Sequence, residues 1–376
     1  MRVQSNQRRL KSSQFKYSDD LSATKPKVHP RVLNYPNRRN ESRSLIMSIC
    51  HPSDTSSSTF TTHSEPPTSN CVVLNDGDQI DLTRLTVEEL NQLQCREEPA
   101  FAQKIGLTPK GSTIRTAVIR QAYETICATL DELSRRKVVG QTLSMGMDRR
   151  YTQFVLEQLA SQSKMGIDGG VFELGFGSGI FLQAASQVGH RIGGLEVASQ
   201  LFDDAKTRLP ASYHGNLWLG DFCSIDFDDQ YESYSLAYWN DVFEHIPVDE
   251  ISDYLTKLYR LLKPGGKLIT ITPNWHMRPS DVTSTFLPSR TEAVGFHLKE
   301  YKLREVRQLL LESGFETVHT PQYISSTRYY FSNAFDLTFF KASLEPMLEF
   351  LPFKLAVQMC RRFGLSCTVA TKGKPR

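Results

Sequence analysis

The stretch VFELGFGSGIF, at residues 171–181, joins a short apolar run to a second apolar run through three alternating glycines. Val171 to Leu174 predict a buried strand, and the apolar residues after Gly179 predict a helix. A glycine turn between a strand and a helix lets backbone N–H groups and the helix amino terminus approach a ligand, because no Cβ intervenes. We therefore predict a strand, a ligand-binding turn and a helix.

The spacing of the glycines argues against a pyrophosphate ligand. A dinucleotide fingerprint, G-x-G-x-x-G, would need a third glycine at Ile180, whereas this turn has Gly175, Gly177 and Gly179. The Glu173 carboxylate at the strand end would repel a pyrophosphate and attract a cationic group such as an ammonium. A tight connection without any ligand would also explain the glycines. The residues of the neighbouring turns distinguish a ligand-binding turn from a purely structural one.

From Val171 onward the sequence alternates between strand and helix patterns, which is typical of a mostly parallel sheet with helices on both faces. Seven strands are predicted, at residues 171–175, 191–196, 216–220, 233–239, 266–272, 315–320 and 365–371.

The turns that follow the next three strands carry further polar and aromatic residues, and ligands of open α/β sheets bind at these carboxyl ends. Glu196 ends the second strand, at the distance from the first turn where a carboxylate typically binds two ribose hydroxyls. Asp221 can accept a hydrogen bond from an adenine amino group, and the Phe222 ring can pack on its face. The fourth strand ends with Asn240, Asp241, Glu244 and His245.

The ordered motifs ELGFGSG, GLEVA, GDF, NDVFEHI and LLKPGGKL closely resemble the class I S-adenosylmethionine-dependent methyltransferases over about residues 140–320. The resemblance implies a Rossmann-like sheet of seven strands, with the last strand antiparallel, and one S-adenosylmethionine in its crevice. Two positions depart from the usual pattern: Phe176 stands where a small or polar residue is more common, and Glu196 where Asp is also common.

Carried over to this sequence, the resemblance implies that Glu173 and the glycine turn hold the methionine moiety and that Glu196 binds the ribose. It also implies that Asp221 and Phe222 contact the adenine, and that Asn240 and Asp241 lie below the sulfonium. The predicted cofactor-binding residues are therefore Glu173, Gly175, Phe176, Gly177, Gly179, Glu196, Val197, Asp221, Phe222, Asn240 and Asp241.

Two histidines are the candidates for catalysis. His245, in the turn after the fourth strand, is the first candidate for a general base or a substrate contact. The alternative is that it only caps a turn before a helix that begins near Pro247.

His297 is the second candidate base. It lies in the long loop after the fifth strand, which is an insertion at residues 274–300. The alternative is that the sequence HLKEY only starts the next helix, with Tyr301 packing as a staple. One histidine and a few carboxylates do not establish a metal site, and none is predicted.

A second insertion, residues 331–363, is rich in Phe and Leu but is broken by prolines and charges, so it predicts no transmembrane segment. A helical cap over an apolar substrate, a dimer face, a peripheral membrane contact or simple core packing would each explain it. The sequence does not distinguish oligomeric states.

The remaining sequence sets the domain organisation. Residues 1–70 are rich in Ser, Thr, Pro and Asn and predict a disordered arm; an organelle-targeting segment or translation from Met47 are the alternatives. Residues 71–165 predict a mainly helical lead-in with a hairpin near Gly77 and a capped helix after Thr86, and 166–376 the methyltransferase-like domain. The net charge of +3 does not indicate a nucleic-acid partner, and scattered cysteines favour reduced thiols in the cytoplasm.

We therefore expect a methyltransferase that transfers a methyl group to a small-molecule or lipid-like acceptor, at oxygen. The alternative is a protein that binds S-adenosylmethionine or S-adenosylhomocysteine without catalysis and serves as a regulatory or interaction module, because the motifs by themselves indicate only cofactor binding.

Overall fold

A computed structural model describes residues 71–136, 149–323, 329–332 and 337–374. The arm predicted at residues 1–70 lies outside the described residues.

A seven-stranded sheet forms the centre of the described chain, in the order β5-β4-β3-β6-β7-β11-β8. Strand β11 runs antiparallel to both of its neighbours, and the other pairs in the sheet are parallel. The predicted fold class is therefore confirmed. The strands are β1 (Cys71–Val73), β2 (Gln79–Asp81), β3 (Val171–Leu174), β4 (Ile192–Glu196), β5 (Leu217–Leu219), β6 (Tyr234–Asn240), β7 (Leu262–Ile271), β8 (Phe315–His319), β9 (Gln322–Tyr323), β10 (Tyr329–Tyr330) and β11 (Cys367–Lys372).

Helices cover both faces of the sheet and precede it in the chain. They are α1 (Val87–Leu107), α2 (Thr113–Arg135), α3 (Arg149–Lys164), α4 (Ile180–Gln187), α5 (Ser199–Arg208), α6 (Ile251–Leu261), α7 (Leu303–Glu312), α8 (Thr338–Leu344) and α9 (Phe353–Phe363). The predicted β1–β2 hairpin is present, and Thr86 and Glu89 form the predicted capping box of α1. The prediction that a helix begins near Pro247 was wrong, because α6 begins at Ile251 after a 3₁₀ turn at Phe243–His245.

Two apolar clusters fill the faces of the central sheet. One centres on Trp239 and Phe172 and includes the buried side of α6, while the other centres on Tyr238 and includes apolar residues of α3 and α4. These clusters bury alternate residues of the same strands on opposite faces, so β6 is buried on both sides, as expected for a central parallel strand.

The lead-in helices α1 and α2 pack together and contact the long loop that follows β7. Phe101 of α1 and Ala122 of α2 are fully buried, and Phe296 of the loop joins the same apolar cluster. Ile114 of α2 is 62% exposed because it lies in the first turn, before the contact begins. This packing places α2 over the carboxyl ends of the strands.

The insertion at residues 331–363 contains α8, a 3₁₀ turn at Glu345–Phe350, and α9. Its buried residues pack near Leu303 of α7, whereas several large apolar side chains are exposed, namely Phe339, Phe340, Leu344, Met347, Phe350 and Leu355. Among the helices in the described ranges, none is both long enough and apolar enough to span a bilayer.

Candidate active site

A cavity of about 500 Å³ opens at the carboxyl ends of β3, β4 and β6. Its walls are the glycine turn after β3, one side of α2, and the loop that follows β7. Ten of the eleven predicted cofactor-binding residues line it, and so do both candidate catalytic histidines. Gly179 does not line the cavity. A Cβ there would lie 2.9 Å from the Cβ of Ala205, so this glycine allows α4 and α5 to pack closely.

The turn after β3 requires glycine at two positions that face the cavity. Gly175 has φ +70°, and a Cβ at this position would lie 2.5 Å from Cγ2 of Val242. Gly177 has φ +54° and its backbone N–H donates to Oε2 of Glu196 over 2.7 Å. Left-handed backbone without a side chain keeps the turn tight and leaves its peptide groups accessible to a ligand. Phe176, the unusual residue between them, is buried and packs against Phe202.

Glu196 is held at the end of β4 by backbone donors. Besides Gly177, the N–H groups of Val197 and Ala198 donate to Oε1 over 2.8 and 3.0 Å. Burial raises the pKa of Glu196, while these three hydrogen bonds oppose the rise. Because a carboxylate has about four acceptor positions, Glu196 can still accept hydrogen bonds from a ligand in the cavity.

Glu173 is a buried carboxylate with an oxygen that lacks a partner. Its side chain lines the cavity, the residue is 6% exposed, and Oε2 makes no hydrogen bond. Burial and the nearby charge of Glu196 raise the pKa of Glu173 well above its usual value. A cationic ligand group in the cavity would remove this cost, so the residue fits the ammonium of the methionine moiety.

Asp221 and Phe222, predicted to contact adenine, line the cavity but are also engaged with the protein. Asp221 accepts hydrogen bonds from Thr116 Oγ1, Ser224 Oγ and the Cys223 backbone N–H. Phe222 is 1% exposed, and its ring packs in the apolar cluster against Phe172, Phe227 and Tyr254. Most of the Phe222 ring therefore belongs to the core, and only part of it faces the cavity.

Asn240 and Asp241 end β6 below the glycine turn. Asn240 Nδ2 donates to Asp241 Oδ2 over 3.3 Å, and Asn240 Oδ1 is buried without a hydrogen bond. Asp241 has φ +51°, a left-handed conformation that Asp tolerates better than most residues. The geometry turns the chain sharply at the cavity edge, so both residues face the cavity.

His245 reaches the cavity from the 3₁₀ turn after β6. Its Nδ1 lies 2.8 Å from the carbonyl oxygen of Phe296, and since a carbonyl only accepts, Nδ1 carries the proton. Burial and the neighbouring His297 lower the pKa of His245 to about 3. The ring is therefore neutral near pH 7, with a hydrogen-bond acceptor at Nε2. Its side chain contacts the loop after β7, so it does not cap a helix.

His297 lies beside His245, with ring centroids 4.8 Å apart. Its Nδ1 is 3.2 Å from Oε1 of Glu300, and its Nε2 is 3.9 Å from Oε1 of Glu244. Burial acts to lower the pKa of His297, but the Glu300 hydrogen bond and the carboxylates of Glu244 and Asp281 outweigh it and raise the pKa. The alternative interpretation of HLKEY, with Tyr301 packing as a staple, is compatible with these contacts, because Tyr301 is buried, precedes α7 and clusters with Val306 of that helix.

The lead-in helices supply cavity residues that sequence analysis missed. Tyr123 of α2 packs edge-on against both His245 and Phe296, and Glu98 of α1 accepts from the Phe296 N–H over 3.1 Å. Burial raises the pKa of Glu98 to about 7. The contribution of α2 could have been predicted from a row of mostly apolar residues at helical spacing, namely Ile119, Tyr123, Ile126, Cys127 and Leu130.

Acidic side chains outnumber basic ones in the cavity lining. The carboxylates that line it are Glu98, Glu173, Glu196, Asp221, Asp241 and Asp281. None of the described residues that line it is Lys or Arg. Such a surface favours a cationic ligand and disfavours phosphates and carboxylates.

Comparison with known proteins identifies the region around this cavity. Residues 172–270 match the model of a family described as a methyltransferase domain. The ubiquinone/menaquinone biosynthesis C-methyltransferase of Geotalea daltonii is 27% identical over 172 residues, which are 44% of this chain and 65% of that protein. A probable S-adenosylmethionine-dependent methyltransferase of Mycolicibacterium smegmatis is 28% identical over 153 residues, 40% of this chain and 53% of that protein. The chain thus spans less than two thirds of either curated relative.

Solved structures of similar proteins have low sequence identity and low TM-scores. Phosphoethanolamine N-methyltransferase 2 of Haemonchus contortus is 16% identical with a TM-score of 0.43, covering 72% of this chain and 62% of that one. An S-adenosylmethionine-dependent methyltransferase of Mesorhizobium loti is 14% identical with a TM-score of 0.37, covering 59% of this chain and all of that one. Residues 172–270 of the chain therefore resemble a methyltransferase domain, and the strand order described above agrees with the sheet that the sequence resemblance predicted.

Proposed function

We propose that the protein transfers a methyl group from S-adenosylmethionine to a neutral, largely apolar acceptor, small or lipid-like, at an oxygen atom. The observation that carries the proposal is a single cavity with two unlike halves. One half contains the partnerless carboxylate Glu173, and the other has an apolar wall that ends at His245 and His297.

The cofactor half of the cavity fits a cationic nucleoside-containing ligand. When bound, S-adenosylmethionine supplies an electrophilic methyl group on a sulfonium. Glu173 would hold its ammonium, Glu196 its ribose hydroxyls, and Asp221 with the edge of Phe222 that faces the cavity its adenine. Asn240 and Asp241 would orient the end of the ligand nearest the acceptor. The packed wall of α2 would exclude water from the reacting atoms.

The acceptor half supports a neutral acceptor. Its surface contains Ile119, Tyr123, Ile126, Val282 and Phe296. A phosphorylated or carboxylated acceptor would meet the carboxyl groups of Glu98 and Asp281 and no Lys or Arg in this lining, which is an electrostatic cost. The His297 ring, whose pKa is raised, is already beside the carboxylates of Glu244 and Glu300. The exposed apolar side chains between Phe339 and Leu355 support a lipid-like acceptor, because such a surface can rest on a membrane interface from which the acceptor is taken.

The histidines support attack by oxygen. A hydroxyl oxygen must lose or share its proton as it attacks, and His245 presents a neutral ring with an accepting Nε2 in the cavity wall. A carbon acceptor would need an enolate or phenolate to form first, and methylation at carbon is the activity named for the Geotalea daltonii relative. The product distinguishes the two reactions.

The test is a methyl-transfer assay with labelled S-adenosylmethionine. We expect label in a neutral, organic-extractable product when the purified protein is incubated with fractionated metabolite extracts, with and without lipid vesicles. Mass spectrometry and alkaline or acid stability of the methyl group then identify an ether or ester at oxygen. Label in phosphorylated or carboxylated products would contradict the proposed acceptor class. Cofactor binding by calorimetry without any labelled product across the extracts would favour the non-catalytic binding module.

Glu196 provides a direct test of the cofactor half. We expect Glu196→Ala to weaken S-adenosylmethionine binding by about 2 kcal/mol or more, because charge-assisted hydrogen bonds are lost. Isothermal calorimetry measures the change, and the thermal midpoint reports whether loss of the acceptor for Gly177 has also altered the turn. Glu124→Ala is the matched control, because Glu124 is an exposed carboxylate of α2 outside the cavity lining. Equal affinity of the two folded variants would remove Glu196 from the site.

A further inference from the structure

Three side chains at the acceptor end of the cavity converge on one point. Glu244 and His245 come from the turn after β6, and His297 comes from the loop after β7. Each offers one potential ligand atom, and these atoms all lie within 4.8 Å of one another. Glu244 and His245 are neighbours in the sequence, but α6 and β7 separate them from His297, so spacing alone did not predict the cluster.

The hydrogen bonds of the two histidines orient their free nitrogens. The Nδ1 of His245 donates to the Phe296 carbonyl over 2.8 Å, and the Nδ1 of His297 is 3.2 Å from the Glu300 carboxylate. A histidine that binds a metal through one nitrogen usually donates from the other to a carbonyl or carboxylate. Each ring therefore already makes, through Nδ1, the second contact that a metal-bound histidine usually makes. Its Nε2 remains available to bind an ion.

Glu244 completes the set with an unpartnered oxygen. Its Oε2 accepts from Thr272 Oγ1 over 3.0 Å, whereas Oε1 is buried without a hydrogen bond. The residue is 0% exposed, and the free oxygen lies 3.9 Å from Nε2 of His297, which is too long for a hydrogen bond. A buried carboxylate oxygen left in this way is costly, and a cation among the three atoms would satisfy it.

We propose that Glu244, His245 and His297 bind one divalent transition-metal ion, such as Zn²⁺. Two imidazoles and one carboxylate are a ligand set that zinc and neighbouring metals use in sites with an open coordination position. Metal–ligand bonds of about 2.1 Å place tetrahedral ligand atoms about 3.4 Å apart, so small side-chain movements suffice. His245 and His297 line the cavity, so an ion held by them would be accessible from the acceptor half.

A metal-free ion pair explains less of the geometry. His297 and Glu244 alone would be expected to close to hydrogen-bond distance, but their atoms are 3.9 Å apart. An ion at this point accounts for all three side chains and for their outer hydrogen bonds. That the ion would bind the oxygen of the methyl acceptor rests on the proposed function; metal binding itself does not.

Cobalt binding tests the site without using activity. The full-length, tag-free protein is treated with a chelator, desalted and titrated with Co²⁺ while the visible absorption of the ion is recorded. We expect one Co²⁺ per chain, an absorption band of low-coordinate cobalt, and its loss when Zn²⁺ is added. Glu244→Gln, His245→Asn and His297→Asn are each expected to weaken binding at least a hundredfold.

A matched histidine outside the cavity provides the control. His276 is also buried and has its Nδ1 3.0 Å from a glutamate oxygen, that of Glu349, but it does not line the cavity. His276→Asn should therefore keep the cobalt band and its affinity. Calorimetry with S-adenosylmethionine on the same proteins separates loss of the metal from failure of the cofactor site.

Two results would overturn the metal site. One is the absence of a saturable cobalt band in the wild-type protein. The other is a band of unchanged affinity in all three variants, which would indicate adventitious binding. If the variants do not fold, X-ray absorption of the wild-type metal complex decides, since two imidazoles and a carboxylate must appear in its coordination shell.

Discussion

Glu173→Gln is expected to weaken S-adenosylmethionine binding by about 2–3 kcal/mol, or roughly 30- to 150-fold. The carboxylate is buried in the cavity and has an oxygen with no hydrogen bond, so the cationic ammonium of the cofactor is the partner that its charge can gain. Glutamine keeps the size and polarity of the side chain but cannot become charged. Isothermal calorimetry on the purified variant measures the loss directly.

The control for Glu173 is a second buried carboxylate of the same cavity. Glu98→Gln also removes an acid whose pKa burial raises, but Glu98 lies at the acceptor half and is hydrogen-bonded to Gln94 and Phe296. We expect it to change cofactor affinity by less than about threefold, since it is not placed to meet the ammonium. Equal losses in the two variants would mean that the general negative potential of the cavity, rather than Glu173, attracts the cofactor.

Glu173 also predicts a pH dependence with a definite sign. Burial raises its pKa in the folded protein above the value of 4.5 for an ordinary glutamate, so folding takes up a proton between the two values. The stability of the cofactor-free protein that this group contributes is complete below pH 4.5 and declines as the pH rises through the folded pKa. Cofactor binding favours the ionised form and should strengthen as the pH rises from 4.5 toward the raised pKa of Glu173, a trend that Glu173→Gln should reduce.

The sequence predicted the cofactor half of the cavity well because that half is built from strand ends. Glu173 and Glu196 lie at the carboxyl ends of β3 and β4, and Asp221 follows β5; the carboxyl ends of parallel strands meet at one edge. Glycine spacing did not separate the roles of the three glycines, however. Gly175 and Gly177 line the cavity, whereas Gly179 is needed for the approach of α5, a contact that only the folded chain reveals.

The acceptor half of the cavity could not be predicted from the sequence in the same way. Tyr123 and Glu98 belong to helices that precede the sheet by at least one further helix, and their place over the crevice depends on tertiary packing with Phe296. His245 and His297 were both found as candidates, but as alternatives. Their rings are in fact in contact, because the loop after β7 folds back onto the turn after β6.

His245→Ala is expected to reduce the rate of methyl transfer by about a hundredfold or more, with S-adenosylmethionine affinity nearly unchanged. The alanine variant removes the accepting nitrogen from the acceptor end of the cavity and leaves the glycine turn, Glu173 and Glu196 intact. Single-turnover measurements with saturating cofactor and the identified acceptor isolate this step from product release. A rate within a factor of about three of wild type would exclude His245 from catalysis and leave alignment and exclusion of water as the source of the rate.

The companion variants decide how His245 acts. If its free nitrogen accepts the hydrogen bond of the acceptor hydroxyl directly, His297→Ala should chiefly raise the KM for the acceptor, and Glu244→Gln should have little effect on kcat. If the three residues act together through a bound ion, all three variants should lower kcat by similar factors, and the double variant His245→Ala/His297→Ala should be no worse than either single one, because residues that act as a unit are not additive. A large fall in kcat for His297→Ala with a normal His245→Ala enzyme would instead make His297 the group that contacts the reacting oxygen.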